Sequence, residues 1–175
     1  MRYCHIISGM EAGHLVRNIW RHVNARRRRM LFWDIAVSNK EDLFARCLSQ
    51  ADVAGLGMSA GQTVGLAWVI RQGNSGSIHM TAWCDGATAR IIGKMFLRKL
   101  AKLGYSSLLA VLPVPFRHIR RYVADIGFER AGVLPGGAPL AAWGRYADAE
   151  LWVWKAGAVP PMPATFALVA SECEN

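Results

Sequence analysis

The chain has 175 residues, of which 53% are hydrophobic and 19% charged, and its formal net charge at pH 7 is +9. This composition is globular rather than disordered, and the length suits one domain of roughly 100–200 residues. No apolar stretch approaches the ~20 residues that a membrane span requires, and residues 1–8 are too short an apolar run for a signal peptide. We therefore expect a cytoplasmic protein without a membrane segment.

The cysteines do not predict a metal site, and the basic residues favour anionic partners. The four cysteines are scattered without pairing or metal-ligand spacing, so we expect buried thiols and no metal site at Cys4, Cys47, Cys84 and Cys173. The positive charge favours nucleic acid, an acidic protein or a phosphorylated cofactor. The run Arg26–Arg29 lacks interleaved aromatic residues and any recognised reader motif, so nucleic-acid binding is not expected.

The first fifty residues predict one strand and two helices. Residues 1–8 fit a strand, and apolar side chains recur at helical spacing from Glu11 to Asn24. The segment Met30–Val37 fits either a strand or a core-facing segment. Ser38 followed by Glu41 is a capping box, which predicts that a second helix begins there.

The middle of the chain predicts an antiparallel meander. Three short apolar runs cover Val53–Met58, Thr63–Arg71 and Ser77–Trp83. Glycine-containing segments, which tolerate positive φ, separate them at 59–62 and 73–76. Three strands joined by tight turns form hairpins, so we expect neighbouring strands in one sheet.

Helices alternate with strands after the meander. A helix is predicted from about Thr88 to Leu103, with Gly104 closing it, and a buried strand follows at Ser106–Leu112. A second helix, Ile119–Ile126, is stopped by Gly127. A helix between two strands makes a crossover connection, so we expect a parallel pair inside a mixed sheet.

The last third predicts two strands and an arm. Phe128–Leu134 and Tyr146–Lys155 fit strands, and Pro135–Pro139 between them fits a loop. We place a single domain over residues 1–156 and a proline-containing C-terminal arm over 157–175.

This order of elements carries a family resemblance. The helix that ends in Gly127-Phe128, the strand after it and Gly132 resemble a signature of the GNAT acetyltransferase superfamily. The segment Gly144–Trp154 is similar to its closing strand, and Val64–Leu103 to its central hairpin and cofactor-binding helix. The match covers roughly residues 50–156. The sequence as a whole also resembles divergent members of the superfamily from phage and prophage genomes.

The resemblance implies an α/β GNAT acyltransferase fold, with a mixed twisted central sheet and helices on both faces. It implies transfer of an acetyl group from acetyl-CoA to an amine of unknown identity. The cofactor would lie in a gap between Ser77–Trp83 and Ser106–Leu112, with its pyrophosphate at a helix start. The implied cofactor-binding residues are Thr81, Ala82, Trp83, Gly86, Ala87, Thr88, Ala89 and Arg90.

Two positions depart from the family pattern at the cofactor site. The literal phosphate motif falls on Arg90 and Gly93, but Met95 stands where the family has Gly or Ala. A helix that begins near Thr88 has a more usual length, and we prefer that register. Asp85 would then cap the helix, and its carboxylate would repel a pyrophosphate.

The catalytic candidates are a histidine and a tyrosine. His79 lies on the strand that carries the general base in this family, and neutral imidazole accepts a proton near pH 7. The alternative is a half-exposed strand histidine. The family's general-acid tyrosine aligns with Val123, so Tyr122, about 100° round the helix, is either the acid or a core-edge residue.

The sequence leaves open the role of four basic residues, the identity of the acceptor, the presence of catalysis and the oligomeric state. The basic residues Arg117, His118, Arg120 and Arg121 fit a phosphate contact or a solvated helix face. The net charge favours an acidic or neutral acceptor over a polyamine. The alternative to an enzyme is a GNAT-shaped binding or structural protein without the chemistry. A dimer is compatible with the sequence, which does not fix the oligomeric state.

Overall fold

The computed structural model describes most of the chain beyond its first forty residues. The described residues are 1–8, Glu11, Leu15, Ile19, Trp20, Trp33 and 40–157. Several sequence predictions therefore lie wholly or largely outside them: the helix over 11–24, the segment 30–37, the Arg26–Arg29 run, the capping box at 38–41 and the arm after residue 157.

Seven strands form one mixed sheet in the order β1-β2-β3-β4-β5-β7-β6. The pair β4 and β5 is parallel, and every other neighbouring pair is antiparallel. The meander and the crossover predicted from the sequence are confirmed. The strands are β1 (Arg2–Ser8), β2 (Val53–Ser59), β3 (Gln62–Gln72), β4 (Ser75–Ala82), β5 (Ser107–Pro113), β6 (Glu129–Leu140) and β7 (Arg145–Lys155).

Among the described residues, the helices between these strands are α1 (Lys40–Ser49), α2 (Gly86–Lys102) and α3 (Arg117–Asp125). Helix α2 follows its cap Asp85, and the chain leaves it through Gly104 at φ 87°. A single 3₁₀ turn, Ala141–Trp143, joins β6 to β7. Within the described residues, no helix is both long and apolar enough to cross a membrane.

Helices cover both faces of the sheet, as predicted. Side chains alternate along β3, so Leu66 and Trp68 pack with Phe44 of α1, whereas Ala67 and Val69 face the other side. On that second side the core includes Phe96, Leu97 and Leu100 from α2 and Val123 from α3. The two clusters give the domain one core on each face of the sheet.

The strands β4 and β5 pair only where they begin. Their parallel register covers three pairs, from Ser75 with Ser107 to Ser77 with Leu109. Strand β4 continues to Ala82 and β5 to Pro113, with no further pairing between them. The gap that the family resemblance implied between these strands therefore opens towards Ala82.

One prediction in the last third was wrong. The segment Pro135–Pro139, predicted as a loop, belongs to β6, which continues to Leu140. The register of β6 shifts between Leu134 and Ala138, and Gly136 takes φ 62°. The strand β6 is at the edge of the sheet, where proline is tolerated because half of the backbone N–H positions face away from the neighbouring strand. The Asp148 carboxylate accepts the Gly136 N–H at 2.9 Å and stabilises the irregular segment.

Candidate active site

A pocket of about 660 Å³ lies between α2, α3 and the adjoining face of the sheet. Strands β1 to β4 contribute to its lining, and its helical walls come from the first three turns of α2 and from α3. Of the implied cofactor-binding residues, those that line it are Thr81, Ala82, Gly86, Ala89 and Arg90. The pocket therefore joins the end of β4 to the beginning of α2.

The beginning of α2 carries a carboxylate. Asp85 adopts extended backbone angles and its Oδ1 accepts the Thr88 N–H at 2.9 Å, as expected of an N-cap. Hydrogen bonds to Thr88 hold the pKa of the Asp85 carboxyl below its ordinary value. The side chain is thus charged at neutral pH, beside the N–H groups and the positive dipole end that would bind an anion.

The mouth of the pocket is otherwise basic. Arg90 on α2 lines it together with His118 and Arg121 on α3, and the pocket-lining residues among those described include no carboxylate. Arg90 also pairs with Asp125 across the two helices, with 3.4 Å between Nη1 and Oδ2. Both partners are more than a third exposed, so this pair leaves the guanidinium accessible to an anionic ligand.

Tyr122 lies inside the pocket although it is one residue from the family position. Its hydroxyl donates to the Ala89 carbonyl at 3.4 Å. Burial raises the pKa of the Tyr122 phenol well above its ordinary value, with the nearby thiols of Cys84 and Cys4 adding to the effect. The phenol is therefore protonated at any physiological pH and can act only as a donor of its proton.

Gly93 makes room for this tyrosine. A Cβ at position 93 would lie 2.5 Å from the Tyr122 hydroxyl and 3.3 Å from Ile126. The glycine that the literal phosphate motif contains thus serves the packing of α2 against α3. Because helix α2 begins at Gly86, Gly93 lies in its second turn, which supports the register preferred from the sequence.

His79 lies on the other face of β4. Its ring is exposed and stacks on Trp68, with centroids 5.0 Å apart and planes 9° from parallel. His79 does not line the pocket, whereas the next two residues, Met80 and Thr81, do line it. The proposed role of His79 as general base stays a prediction, since the acceptor would have to approach from the α1 face through the gap beside β4.

Three other implied cofactor residues lie outside the pocket lining. Trp83 donates its indole N–H to the Thr63 carbonyl at 2.8 Å and packs on the α1 side. Ala87 is exposed in the first turn of α2, and the Thr88 side chain is buried. Phosphate binding by the backbone N–H groups of these last two residues stays a prediction.

The sequence analysis missed the floor of the pocket. Small residues on β1 to β3 form it, among them Cys4, Gly55, Gly57 and Gly65. The available signal was the alternation Gly55, Gly57 in one strand, which leaves the same face of β2 without side chains. Burial raises the pKa of the Cys4 thiol to about 12, so this residue is an uncharged apolar wall at neutral pH.

Comparisons with known proteins decide the fold. No protein-family model matches the sequence, and no curated protein matches it. Among solved structures, spermidine N-acetyltransferase from Vibrio cholerae, in complex with CoA and spermine, is similar with a TM-score of 0.70. It is 16% identical, over 89% of this chain and 96% of that chain. The chain has the GNAT acyltransferase fold.

Two further GNAT structures extend the likeness. RimJ from Mycobacterium smegmatis, in complex with CoA-disulfide, has a TM-score of 0.68 and 16% identity, over 97% of this chain and 89% of that chain. The aminoglycoside acetyltransferase AAC(6')-Ib, in complex with coenzyme A and kanamycin, has a TM-score of 0.66 and 12% identity, over 90% and 96% of the two chains. At these identities the likeness is one of fold.

Proposed function

We propose that the protein is an N-acetyltransferase that moves an acetyl group from acetyl-CoA to an amine. The observation that carries the proposal is the pocket, which joins basic side chains near the start of α2 to the half-buried Tyr122 and its hydroxyl. The solved structures of this fold named above contain coenzyme A or its disulfide, which supports the cofactor assignment.

The residues at the mouth fit a phosphorylated cofactor. Gly86 is exposed, and a Cβ there would meet only the Arg90 guanidinium, at 3.7 Å, so a ligand can approach the backbone closely. Arg90, Arg121 and His118 would hold the phosphates. Bound acetyl-CoA supplies the thioester, whose C–S bond breaks as the amine nitrogen forms the new C–N bond.

The chain's own groups handle charge and protons during this transfer. Beyond Ser77, the edge of β4 has no β5 partner, so its backbone N–H groups can polarise the thioester carbonyl. His79, through water, would take the proton that the amine loses. The Tyr122 hydroxyl would donate its proton to the departing thiolate and then recover one from solvent.

The acceptor proposed here is neutral or acidic. The described pocket-lining residues include basic side chains and no carboxylate, and the net charge of +9 repels polycations at long range. In this respect the protein would differ from the similar structures solved with spermine and kanamycin. Two finer proposals come from the sequence. Its general resemblance to phage and prophage members supports a phage-type member of the superfamily, and the lack of an apolar stretch of membrane-spanning length supports a cytoplasmic location.

One observation favours a second candidate, a GNAT-shaped binding protein that has lost the chemistry. Asp85 places a negative charge at the α2 terminus, where the pyrophosphate would lie. Calorimetry with acetyl-CoA and CoA separates the two candidates, followed by a thiol-release assay over a panel of neutral, acidic and polyamine acceptors. We expect cofactor binding and thiol release with a neutral or acidic amine. Absence of binding at millimolar acetyl-CoA would refute the enzyme and leave the second candidate.

Asp85→Asn is expected to tighten CoA binding by roughly twofold to fivefold at low salt, the range of an exposed ionic contact. Asparagine caps helices as well as aspartate does, so the helix start is kept while the negative charge is removed. Calorimetric titrations with CoA at low and high ionic strength measure the effect, which salt should suppress. Ala87→Asp adds a carboxylate to the same turn and should weaken binding.

The matched control is Glu129→Gln, which makes the same charge change at an exposed site on β6. We expect its affinity for CoA to equal that of the wild type. If Asp85→Asn and Glu129→Gln behave alike, the phosphates do not lie at the start of α2.

A further inference from the structure

The pocket continues well past the groups that would handle the cofactor. Along α2 its lining residues run from Gly86 to Phe96, a distance of about 15 Å at the rise of an α-helix. The Tyr122 hydroxyl, in contact with Ala89 and Gly93, marks the middle of this length. Beyond it lies an inner chamber, which we define by Cys4, Gly65, Ala67, Met80, Ile92 and Phe96.

The register of the sheet explains why this chamber exists. One row of paired residues crosses β1 to β4 with no side chain larger than that of cysteine, namely Cys4, Gly57, Gly65 and Ala82. The next row on the same face, Ile6, Gly55, Ala67 and Met80, is small only on β2 and β3. Glycine and alanine on these two strands leave room between the sheet and the covering helix.

Two side chains of α2 bound the chamber above β2, whereas β3 contributes a glycine to its lining. A Cβ on Gly57 would lie 2.7 Å from Ile92, and one on Gly55 would lie 2.5 Å from Phe96, so these side chains rest on the strand. The three atoms nearest to a Cβ on Gly65 belong to Thr81 and Ala82 of β4 rather than to the covering helix. Gly65 lines the pocket.

The polarity of the pocket changes along its length. The guanidinium groups of Arg90 and Arg121 lie at the mouth, the Tyr122 hydroxyl lies in the middle, and the inner chamber has no charged side chain. The Cys4 thiol in its lining is protonated at neutral pH. An acyl-CoA with a hydrocarbon tail has the same order of groups, since its phosphates, thioester and apolar chain follow one another.

We propose that the inner chamber binds the hydrocarbon chain of an acyl-CoA longer than acetyl, so that the protein transfers such acyl groups to its amine acceptor. The proposal rests on the proposed function and changes only the acyl chain. The amine nitrogen bonds to the acyl carbon, the C–S bond breaks, the amine proton goes to the base and the thiolate takes a proton. Burial of each added methylene should strengthen binding about fourfold.

The first experiment measures binding of CoA, acetyl-CoA, butyryl-CoA and hexanoyl-CoA to the full chain by calorimetry. We expect affinity to rise from acetyl to hexanoyl, by roughly fourfold per methylene while the chain fits. An affinity that is flat or falls with chain length would overturn the chamber assignment. If CoA itself fails to bind, the proposed function falls, whereas binding of all four compounds with equal affinity refutes this inference alone.

Variants of the floor test the location. Ala67→Leu fills the chamber and should lower the ratio of hexanoyl-CoA to CoA affinity at least tenfold. Met80→Ala enlarges it and should raise that ratio. The control Ala101→Leu makes the same substitution on α2, against the same core but outside the pocket, and should keep the wild-type ratio. Thermal melts identify a variant that is unfolded, and an unchanged ratio in folded Ala67→Leu and Met80→Ala refutes the site.

Discussion

Tyr122→Phe is expected to lower kcat about a hundredfold, with the loss on kcat rather than on KM for acetyl-CoA. A positioned general acid contributes roughly 10²–10⁴ to the rate, and a phenol with a raised pKa belongs at the lower end of that range. The substitution keeps the ring between α2 and α3 and removes only the hydroxyl, whose contact to the Ala89 carbonyl is a long 3.4 Å. Steady-state kinetics with acetyl-CoA and an acceptor from the panel measure the effect.

The pH profile gives an independent reading of the same residue. Because burial raises the pKa of Tyr122, its proton stays bound through the range in which an ordinary tyrosine ionises. Wild-type kcat should therefore show no alkaline decline from this group up to pH 10. An alkaline decline below pH 10 that is absent from Tyr122→Phe would contradict the raised pKa.

Tyr105→Phe is the matched control, since it removes a hydroxyl at the other end of the sheet. That hydroxyl donates to Asp52, and the Arg71 guanidinium lies 4.3 Å from the centre of the ring. We expect unchanged kcat and a loss of about 1 kcal/mol in unfolding free energy. Equal losses of kcat in both variants would indicate a general folding effect. No loss of kcat in Tyr122→Phe would show that solvent, rather than Tyr122, protonates the departing thiolate.

Apart from the second half of β6 and the 3₁₀ turn after it, the sequence predicted the order and type of the described elements, because each depends on local periodicity. The three strands of the meander begin and end within two residues of their predicted limits, and the Asp85 cap was found from residue type and position alone. Turns and helix ends depend on residues that are close together in the sequence, so they can be recognised from the sequence pattern alone. The parallel pair followed from the crossover helix.

The site could be predicted only in part, because it depends on registers between strands. Cys4, Gly57, Gly65 and Ala82 are far apart in the sequence, and only the pairing of four strands brings them into one row. The rotation of α3 about its own axis, relative to α2, likewise depends on Gly93, which leaves room for the Tyr122 hydroxyl. The irregular part of β6 was missed because proline and glycine mark loops as often as edge-strand bulges.

Glu150→Ala is expected to destabilise the protein more than any exposed substitution. Glu150 is 4% exposed on β7, and its Oε1 lies 3.1 Å from Arg120 Nη1 and 3.3 Å from Arg130 Nε. Its Oε2 accepts the Trp152 indole N–H at 3.1 Å. Removal of one partner of a buried ion pair costs about 3–5 kcal/mol. We expect the lower value, about 3 kcal/mol, because Arg120 and Arg130 are partly exposed and can hydrate.

Urea denaturation and thermal melts measure this loss, which corresponds to a Tm lower by about 6–12 °C for a chain of this length. Glu150→Gln keeps an acceptor for the Trp152 N–H and should lose less, about 1–2 kcal/mol. Glu129→Ala, at an exposed site on β6, should stay within about 0.5 kcal/mol of the wild type. If Glu150→Ala lowered the free energy of unfolding no more than Glu129→Ala does, the ion pairs of Glu150 with the two arginines would not stabilise the fold.

The same substitution links stability to the site, because Arg120 lies on α3 between the pocket residues Ile119 and Arg121. The ion pair from Arg120 to Glu150 fixes α3 to β7, and α3 carries Tyr122 into the pocket. We therefore expect Glu150→Ala to lower kcat at temperatures far below its Tm, and Glu150→Gln to retain most of it. A fully active Glu150→Ala protein with a lowered Tm would confine the ion pair to stability and leave Gly93 and Ile126 to position the tyrosine.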